Sequence, residues 1–138
     1  MVYVLDCSYC AALFLPDERS AMAARKIETI TENDEIHIPQ LWWYEMSNVL
    51  TVAVRRNRIK PRDVADIIGL FAEYGFLTDA ACGERYAERL FELARMYELS
   101  AYDAAYLELA IRLKAVLGSI DDKLLRAAKK AGLASLFV

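Results

Sequence analysis

Four acidic residues lack an ordinary explanation in the sequence around them, and they are Asp6, Glu45, Asp103 and Asp121. Most surface carboxylates pair with a basic residue along a helix or face water, whereas Glu45 and Asp103 lie in apolar segments with no basic residue at helical spacing. Asp6 and Asp121 each follow an apolar run directly. Carboxylates brought together repel one another, so they take up protons or hold hard cations such as Mg²⁺ or Mn²⁺. Such a site suits phosphodiester hydrolysis, because the metal lowers the pKa of an attacking water and neutralises charge on the phosphate.

Three of these acids also have a structural explanation. Ser100 and Asp103 match a capping box at a helix start. An acid directly after a strand, as at Asp6 and Asp121, often caps the next helix. The hypothesis of a shared acidic site therefore depends on whether the acids meet in space. The single histidine, His37, excludes acid–base schemes that need two imidazoles and zinc sites rich in histidine.

The elements that must position these acids alternate along the chain. Apolar runs predict strands at 2–5, 36–38, 76–78, 116–120 and 136–138. Caps, proline starts and apolar stripes predict helices at 7–15, 16–30, 41–56, 61–75, 83–99, 100–114 and 121–131. This alternation predicts an α/β fold with a parallel sheet flanked by helices on both faces. The segments that follow parallel strands share the edge of the sheet where ligands bind, so the four acids can converge there.

Length and composition are those of one compact domain that spans 1–138. The chain is 57% hydrophobic and 27% charged, with five Gly and three Pro, which excludes disorder. A chain of this length can bury roughly 68–70% of its unfolded surface without disulfides or structural metal. The formal charge of −3 gives no overall electrostatic argument for a nucleic-acid or membrane partner. Three cysteines, the lack of a basic leader and the lack of a long apolar run predict a protein of the reducing cytoplasm with no membrane partner.

Four segments carry a resemblance to a known family. They are Val4-Leu5-Asp6-Cys7-Ser8, Ile38-Pro39 with Tyr44-Glu45-Met46-Ser47-Asn48-Val49-Leu50, Ala101-Tyr102-Asp103-Ala104-Ala105-Tyr106, and Ser119-Ile120-Asp121 leading into Lys123-Leu124. With these segments in this order, the chain resembles the PIN-domain ribonucleases over essentially its whole length. It is most similar to the VapC-like toxins of bacterial and archaeal toxin–antitoxin modules.

The resemblance implies a Mg²⁺- or Mn²⁺-dependent endoribonuclease that acts on RNA, forms homodimers and is inhibited by a small antitoxin chain. The family's metal-binding acids match Asp6, Glu45, Asp103 and Asp121. Its supporting hydroxyl residues match Ser8 and Ser119, although Thr is commoner than Ser at the second position. Asp122, directly after Asp121, is the other candidate for the fourth acid and otherwise a supporting residue.

Two basic stretches are candidates for binding the RNA backbone. The first contains Arg55, Arg56, Arg58, Lys60 and Arg62, and the second contains Lys123, Arg126, Lys129 and Lys130. They could steer phosphates toward the acids in a salt-sensitive manner. Two alternatives stay open: solvated helix ends, whose cations favour the C-terminal dipole, and contact with an acidic antitoxin tail.

Other functions and roles compete with this interpretation. A catalytically inactive PIN-like module would bind RNA or protein without cleavage. A phospho-acceptor signalling domain also gathers acids at a sheet edge, but it would place paired acids after the first strand, where Cys7 follows Asp6. A redox site at Cys7-Ser8-Tyr9-Cys10, or a zinc site that adds Cys82 and His37, lacks a second motif to support it.

Two aromatic pairs have alternative roles. Tyr102 and Tyr106 lie one helical turn apart and could stack on a base, but core packing is favoured for both. Trp42 and Trp43 are neighbours on a predicted helix, about 100° apart, so they cannot both face one core. One of the two indoles is therefore expected to reach the surface or an interface.

Overall fold

A parallel sheet forms the framework of the protein. The computed structural model describes residues 1–14 and 18–136, except for the side chains of 18–20. The strands within these ranges are β1 (Val2–Leu5), β2 (Glu35–Ile38), β3 (Leu77–Thr78), β4 (Val116–Gly118) and β5 (Ser135–Leu136). They are ordered β3-β2-β1-β4-β5, and every neighbouring pair is parallel. The α/β fold with a parallel sheet is therefore as the sequence predicts.

Helices connect the strands and cover both faces of the sheet. They are α1 (Cys7–Ala12), α2 (Glu18–Ile27), α3 (Leu41–Arg55), α4 (Val64–Glu73), α5 (Glu84–Tyr97), α6 (Ala101–Leu113) and α7 (Asp122–Lys130). The chain leaves β1 toward β2 and β3, and later continues from β4 to β5 on the other side. Because parallel crossovers are right-handed, connections that run in opposite directions leave their helices on opposite faces. In agreement, α1 packs against α2 and α3, whereas α6 packs against α5 and α7.

The central strand is buried between its two neighbours. Val4 and Leu5 have no solvent exposure, and Leu5 pairs in register with Gly118 of β4. A Cβ atom at Gly118 would lie 2.5 Å from Cδ2 of Leu5, so a larger residue there would force this buried leucine to move. The ladder continues past β1, since the Asp6 amide donates to the Gly118 carbonyl at 2.9 Å. Asp6 thus lies at the carboxyl end of β1, where the chain order of the strands reverses between β1 and β4. Ligand sites of open α/β sheets form at such a point.

An aromatic cluster fills the space beneath α3. Trp42 is fully buried and makes edge contacts with Phe71 and Phe76, with ring centroids 4.9 and 5.5 Å apart. Trp43 is 37% exposed, and its Nε1 donates to Oγ1 of Thr78 at 2.9 Å. The prediction that one of the two indoles reaches the surface is confirmed, although the two rings are in edge contact, with centroids 4.9 Å apart.

Most element boundaries lie within two residues of the prediction, and the exceptions have local causes. The first helix, predicted to reach residue 15, ends at Ala12, where the amides of Leu13 and Phe14 bond to carbonyls three residues back. The helix predicted to reach Ile30 ends at Ile27, because the amides of Thr29 and Ile30 bond to carbonyls three residues back and the Thr29 hydroxyl also donates to the Lys26 carbonyl. The helix predicted from Pro61 starts as a 3₁₀ turn, and the α-helix begins at Val64.

Some predicted boundaries cannot be compared. The helix segments predicted at 15–17 and the strand end predicted at 137–138 lie outside the described residues. Within the described ranges, no helix combines the length and the apolar character that crossing a membrane requires.

Candidate active site

Asp6 is the most buried of the four acids. It is 5% exposed and caps α1, since its Oδ1 accepts from the amide of Tyr9 at 2.7 Å. The position follows from the sequence, because the apolar strand β1 ends directly before Asp6 and the residues after Asp6 form a helix. The acid therefore serves as the helix cap that the sequence allowed, and it still presents a carboxylate at the carboxyl edge of the sheet.

Two serines bind the Asp6 carboxylate from different parts of the chain. The Ser8 hydroxyl lies 2.8 and 2.9 Å from the two carboxylate oxygens. The Ser119 hydroxyl, fully buried after β4, donates to Oδ2 of Asp6 and accepts from the Asp121 amide at 2.9 Å. Ser119 therefore links the acid after β1 to the segment after β4. The bonds of Ser119 turn the chain out of the strand, which explains why β4 ends at Gly118, whereas the sequence predicted an end at Ile120.

Burial and neighbouring charge keep Asp6 close to protonation. Burial, with a smaller contribution from the charge of Asp121, raises the pKa of Asp6 to about 6. Hydrogen bonds from Ser119, the Tyr9 amide and Ser8 act in the opposite direction, because they stabilise the charged form. A positive charge placed near this buried carboxylate would stabilise its ionised form.

Glu45 lies in the second turn of α3, the helix that follows β2, and is electrostatically coupled to Asp6 and Asp103. Burial, together with the charges of Asp6 and Asp103, raises the pKa of Glu45 to about 6. The hydroxyl of Tyr106 on α6 donates to Oε2 of Glu45 at 3.2 Å. Tyr106 is 2% exposed, so the predicted core packing is confirmed, but the sequence analysis missed the bond to Glu45. The available signal was its position three residues after Asp103, on the same helix face. Tyr102, one turn earlier on α6, is 69% exposed, so the core packing predicted for it is wrong.

Asp103 and Asp121 lie at the starts of two helices. The Asp103 amide donates to Oγ of Ser100 at 3.0 Å, which confirms Ser100 as the N-cap of α6. Oδ1 of Asp121 accepts from the amides of Lys123 and Leu124 at 2.8 and 2.9 Å and caps α7. Asp121, and not Asp122, is the residue whose charge acts on Asp6, which favours Asp121 as the fourth acid.

These four acids fit a hard divalent cation by their chemistry. Their donors are carboxylate oxygens, which Mg²⁺ and Mn²⁺ prefer. None of the ion pairs formed by the described residues includes any of the four, so their charge is not neutralised by a basic side chain. As they stand, however, no three described Asp, Glu, His or Cys side chains surround a single point closely enough to hold an ion. The structure brings the acids to one edge of the sheet in electrostatically coupled pairs.

The thiols near this edge are unsuited to redox chemistry. Cys7 and Cys10 are buried and free. Burial, with the charges of Glu45 and Asp6, raises the pKa of Cys7 to about 12, and burial also raises the pKa of Cys10. Reactive thiols have lowered pKa values, so both cysteines act as small core residues.

The first basic stretch lies away from the acids. Arg55, Arg56, Arg58, Lys60 and Arg62 are all exposed and follow from the C-terminal end of α3. Arg55 comes ten residues after Glu45, which corresponds to about 15 Å along a helix. Lys123 is closer, because its amide is bound by the Asp121 cap.

A separate network joins α6 to the segment after β3. Arg112 forms an ion pair with Glu108 one helical turn earlier, with Nε 2.9 Å from Oε1. The same guanidinium also donates to both carboxylate oxygens of Asp79, at 3.0 and 2.8 Å. Glu108 is 7% exposed, so Arg112 neutralises a buried acid. Because Arg112 pairs with both acids, Glu108 and Asp79 have a structural role. They are not part of the group formed by the four acids above.

Comparison with known proteins agrees with this fold. The sequence model of the PIN domain matches residues 3–130. Ribonuclease VapC3 of Pyrobaculum aerophilum is 32% identical over 127 residues, which cover 90% of this chain and 92% of that protein.

Two solved structures share the fold at lower identity. VapBC2 from Rickettsia felis, bound to a DNA fragment from their promoter, has a TM-score of 0.69 at 15% identity and covers 99% of this chain and 98% of that one. VapC20 of Mycobacterium tuberculosis, a sarcin-ricin loop cleaving toxin, has a TM-score of 0.68 at 19% identity and covers 92% and 95%. Taken with the sequence match over nearly the whole length, these findings show that the chain belongs to the PIN-domain family.

Proposed function

We propose that this protein is a metal-dependent endoribonuclease and the toxin of a toxin–antitoxin pair. The observation that carries the proposal is the buried Asp6 carboxylate, which Ser119 links to Asp121 at an edge shared with Glu45. The related ribonuclease VapC3 supports RNA as the substrate. The similar fold of VapBC2 supports a small antitoxin partner, and the family resemblance supports a homodimer.

The four acids would hold Mg²⁺ or Mn²⁺, with Asp121 as the fourth. When bound, such an ion lowers the pKa of a water molecule and neutralises charge on a phosphate. Ser8 and Ser119 fix the orientation of Asp6, and the Tyr106 hydroxyl holds Oε2 of Glu45. These contacts restrict side-chain motion before any substrate arrives, which lowers the cost of assembling the site.

A second candidate function is a PIN-like module that binds RNA or protein without cleaving RNA. The observation that favours it is the lack, among the described residues, of three acids placed closely enough for one ion. Under the first proposal, Asp6, Glu45 and Asp103 would together hold the cation. The two candidates differ in whether the protein cleaves RNA when metal is present.

Cleavage of total cellular RNA by the purified protein tests the proposal. We expect specific cleavage with Mn²⁺ or Mg²⁺, no cleavage with a chelator, and none from Asp6→Asn. Asp66→Asn is a matched control, because Asp66 is an exposed acid in the first turn of α4. Identical RNA profiles for the wild type with metal and for Asp6→Asn would contradict the proposal. RNA binding without cleavage would favour the inactive module.

A further inference from the structure

The C-terminal half of α3 carries a small open cavity on the same side of the helix as Glu45. The cavity has a volume of about 290 Å³ and is lined by Asn48, Val49, Val52, Ala53, Arg56 and Arg58. Positions four, seven and eleven residues apart recur on one face of an α-helix, and three of the lining residues follow Glu45 at these intervals. This face of α3 therefore carries an acid of the candidate site near one end and the guanidinium of Arg56 at the other, about 16 Å away along the axis.

A Schellman turn at the end of α3 brings Arg58 back to this cavity. Asn57 has a positive φ of 56°, and its amide donates to the Val54 carbonyl at 3.0 Å. The Arg58 amide donates to the Ala53 carbonyl at 2.9 Å. These two bonds define the motif, in which a residue in the left-handed conformation reverses the chain after the last helical turn. Main-chain bonds thus fix where Arg56 and Arg58 start, and both side chains line the same cavity.

The neighbouring Arg55 lines a different cavity. That cavity has a volume of about 500 Å³ and lies between apolar residues of α3 and α4. Arg55 and Arg56 carry the same charge and are both exposed, but successive helical residues differ by about 100° in direction. The basic residues of this stretch are therefore not equivalent, and Arg56 and Arg58 are the pair that lines the cavity on the Glu45 side.

The lining of this cavity suits a phosphate group. Within the described ranges, neither Arg56 nor Arg58 belongs to an ion pair, so no described acid neutralises them. A guanidinium binds phosphate oxygens through parallel N–H donors, and the Asn48 amide offers a further donor. The aliphatic side chains of the lining exclude water from part of the cavity, which strengthens attraction between opposite charges. The volume is at the lower end for a ligand site, as expected for one phosphate and its sugar.

We propose that Arg56 and Arg58 bind a backbone phosphate of the RNA a few nucleotides from the scissile bond, so that the substrate lies along the Glu45 face of α3. The inference rests on the proposed function and adds the path of the substrate to it. Carboxylates repel the phosphates of an RNA strand, so two guanidiniums fixed on the same helix face supply attraction where the acids cannot. An acidic segment of a partner protein is the other anion that the cavity could bind, and the test distinguishes the two.

Binding of a fluorescein-labelled, 12-nucleotide RNA, measured by anisotropy at several salt concentrations with a chelator present, tests the proposal. We expect Arg56→Ala and Arg58→Ala each to weaken binding about fivefold, the upper range for an exposed ion pair. The double variant should also reduce the slope of log affinity against log salt concentration by about 0.7, because one phosphate is no longer neutralised. In cleavage assays with Mn²⁺, the double variant should raise KM and leave kcat within about twofold of wild type, since the arginines lie far from the acids.

Arg55→Ala is the matched comparison, because it removes the same charge from the adjacent residue. It should weaken binding less than about twofold, as salt screens an exposed charge that does not contact the RNA. Equal losses of affinity in Arg55→Ala and Arg56→Ala would indicate a general effect of charge and overturn the proposal. Lower thermal stability of Arg56→Ala with unchanged RNA binding would also overturn it, because the arginine would then act only on the dipole of α3.

Two further outcomes separate this proposal from the proposed function. A wild type that cleaves RNA, with a double variant that binds and cleaves it equally well, would overturn the phosphate site alone. A wild type that neither binds nor cleaves RNA would overturn both. Binding of a glutamate-rich peptide that is lost in the double variant, while RNA binding is kept, would assign the cavity to an acidic protein partner and overturn the phosphate site.

Discussion

The hydroxyl of Tyr106 donates to Oε2 of Glu45 at 3.2 Å, and this bond joins two helices through residues that are 61 positions apart in sequence. The bond is buried on the tyrosine side, where the ring is 2% exposed. It favours the charged form of Glu45, against the burial that raises the pKa of this acid to about 6. Tyr106 therefore acts on the candidate metal ligand as a positioning residue.

Tyr106→Phe removes this hydroxyl and keeps the ring. We expect the affinity for Mn²⁺, measured by calorimetry, to fall about tenfold, because partners of metal ligands typically contribute this much. Tyr9→Phe is the control, since the equally buried Tyr9 hydroxyl donates to the Ala23 carbonyl at 3.0 Å and not to an acid. Equal losses of Mn²⁺ affinity in the two variants would show that Tyr106 has only a packing role.

Ser119→Ala should destabilise the protein more than Ser8→Ala. Loss of the buried Ser119 hydroxyl leaves Oδ2 of Asp6 and the Asp121 amide without this partner, which should cost about 1–3 kcal/mol of unfolding free energy. Ser8 is half-buried, so water can replace its hydroxyl. Urea denaturation in the presence of a chelator measures both values, and a larger loss from Ser8→Ala would be inconsistent with this account.

The metal-free protein should become more stable as the pH falls from 7 to 5. Asp6 and Glu45 both have a pKa raised to about 6 in the folded state, so the folded chain binds more protons than the unfolded chain in this window. Unfolding free energy should therefore rise by about 1–2 kcal/mol between pH 7 and pH 5. Asp6→Asn should flatten the profile. A stability that falls steadily over this range in the wild type would rule out the raised pKa values.

Asp121→Ala and Asp122→Ala separate the two candidates for the fourth acid. Asp121 caps α7 with Oδ1 and acts on Asp6, so its loss should cost about 1 kcal/mol of stability and strongly reduce cleavage. Asp122 lies exposed in the first turn of α7, and its loss should change both quantities little. Thermal unfolding and RNA cleavage at equal concentrations of folded protein give the comparison. Greater loss of cleavage in Asp122→Ala would reverse the assignment.

Arg112→Ala should affect stability and not the cleavage mechanism. The buried Glu108 and the carboxylate of Asp79 would lose their shared cation, at a cost of about 2–3 kcal/mol. Arg89→Ala, which removes an exposed pair with Glu92 at 4.0 Å, should cost less than about 0.5 kcal/mol. Cleavage per folded molecule should match the wild type in both. A selective loss of cleavage in Arg112→Ala would connect this network to the active site.

The sequence predicts the architecture because each element carries a strong local signal. The buried run at β1 and the apolar stripe of α3 can be recognised in the sequence without any knowledge of distant contacts. Boundaries fail where a side chain ends an element, as the Thr29 hydroxyl does after α2 and the Ser119 hydroxyl does after β4. Such bonds depend on local geometry that the apolar pattern does not specify.

The acids of the site can be predicted from the sequence, whereas the residues that form hydrogen bonds with acids are harder to predict. Glu45 and Asp103 attract notice because no basic residue lies at helical spacing from them. The bonds from Tyr106 to Glu45 and from Arg112 to Asp79 span 61 and 33 residues. Local spacing can place Tyr106 on the face of Asp103, but it does not identify Glu45 or Asp79 as the partner. The exposure of Tyr102 was missed for a different reason, since an apolar segment around it favoured the core.

The bond between Ser119 and Asp6 joins residues 113 positions apart. During translation, Asp6 leaves the ribosome early, while the hydroxyl that orders it is added only when β4 is made. An incomplete nascent chain thus holds the first acid without its late partners, and a cell that makes this protein is not exposed to an assembled acidic edge until synthesis has passed β4.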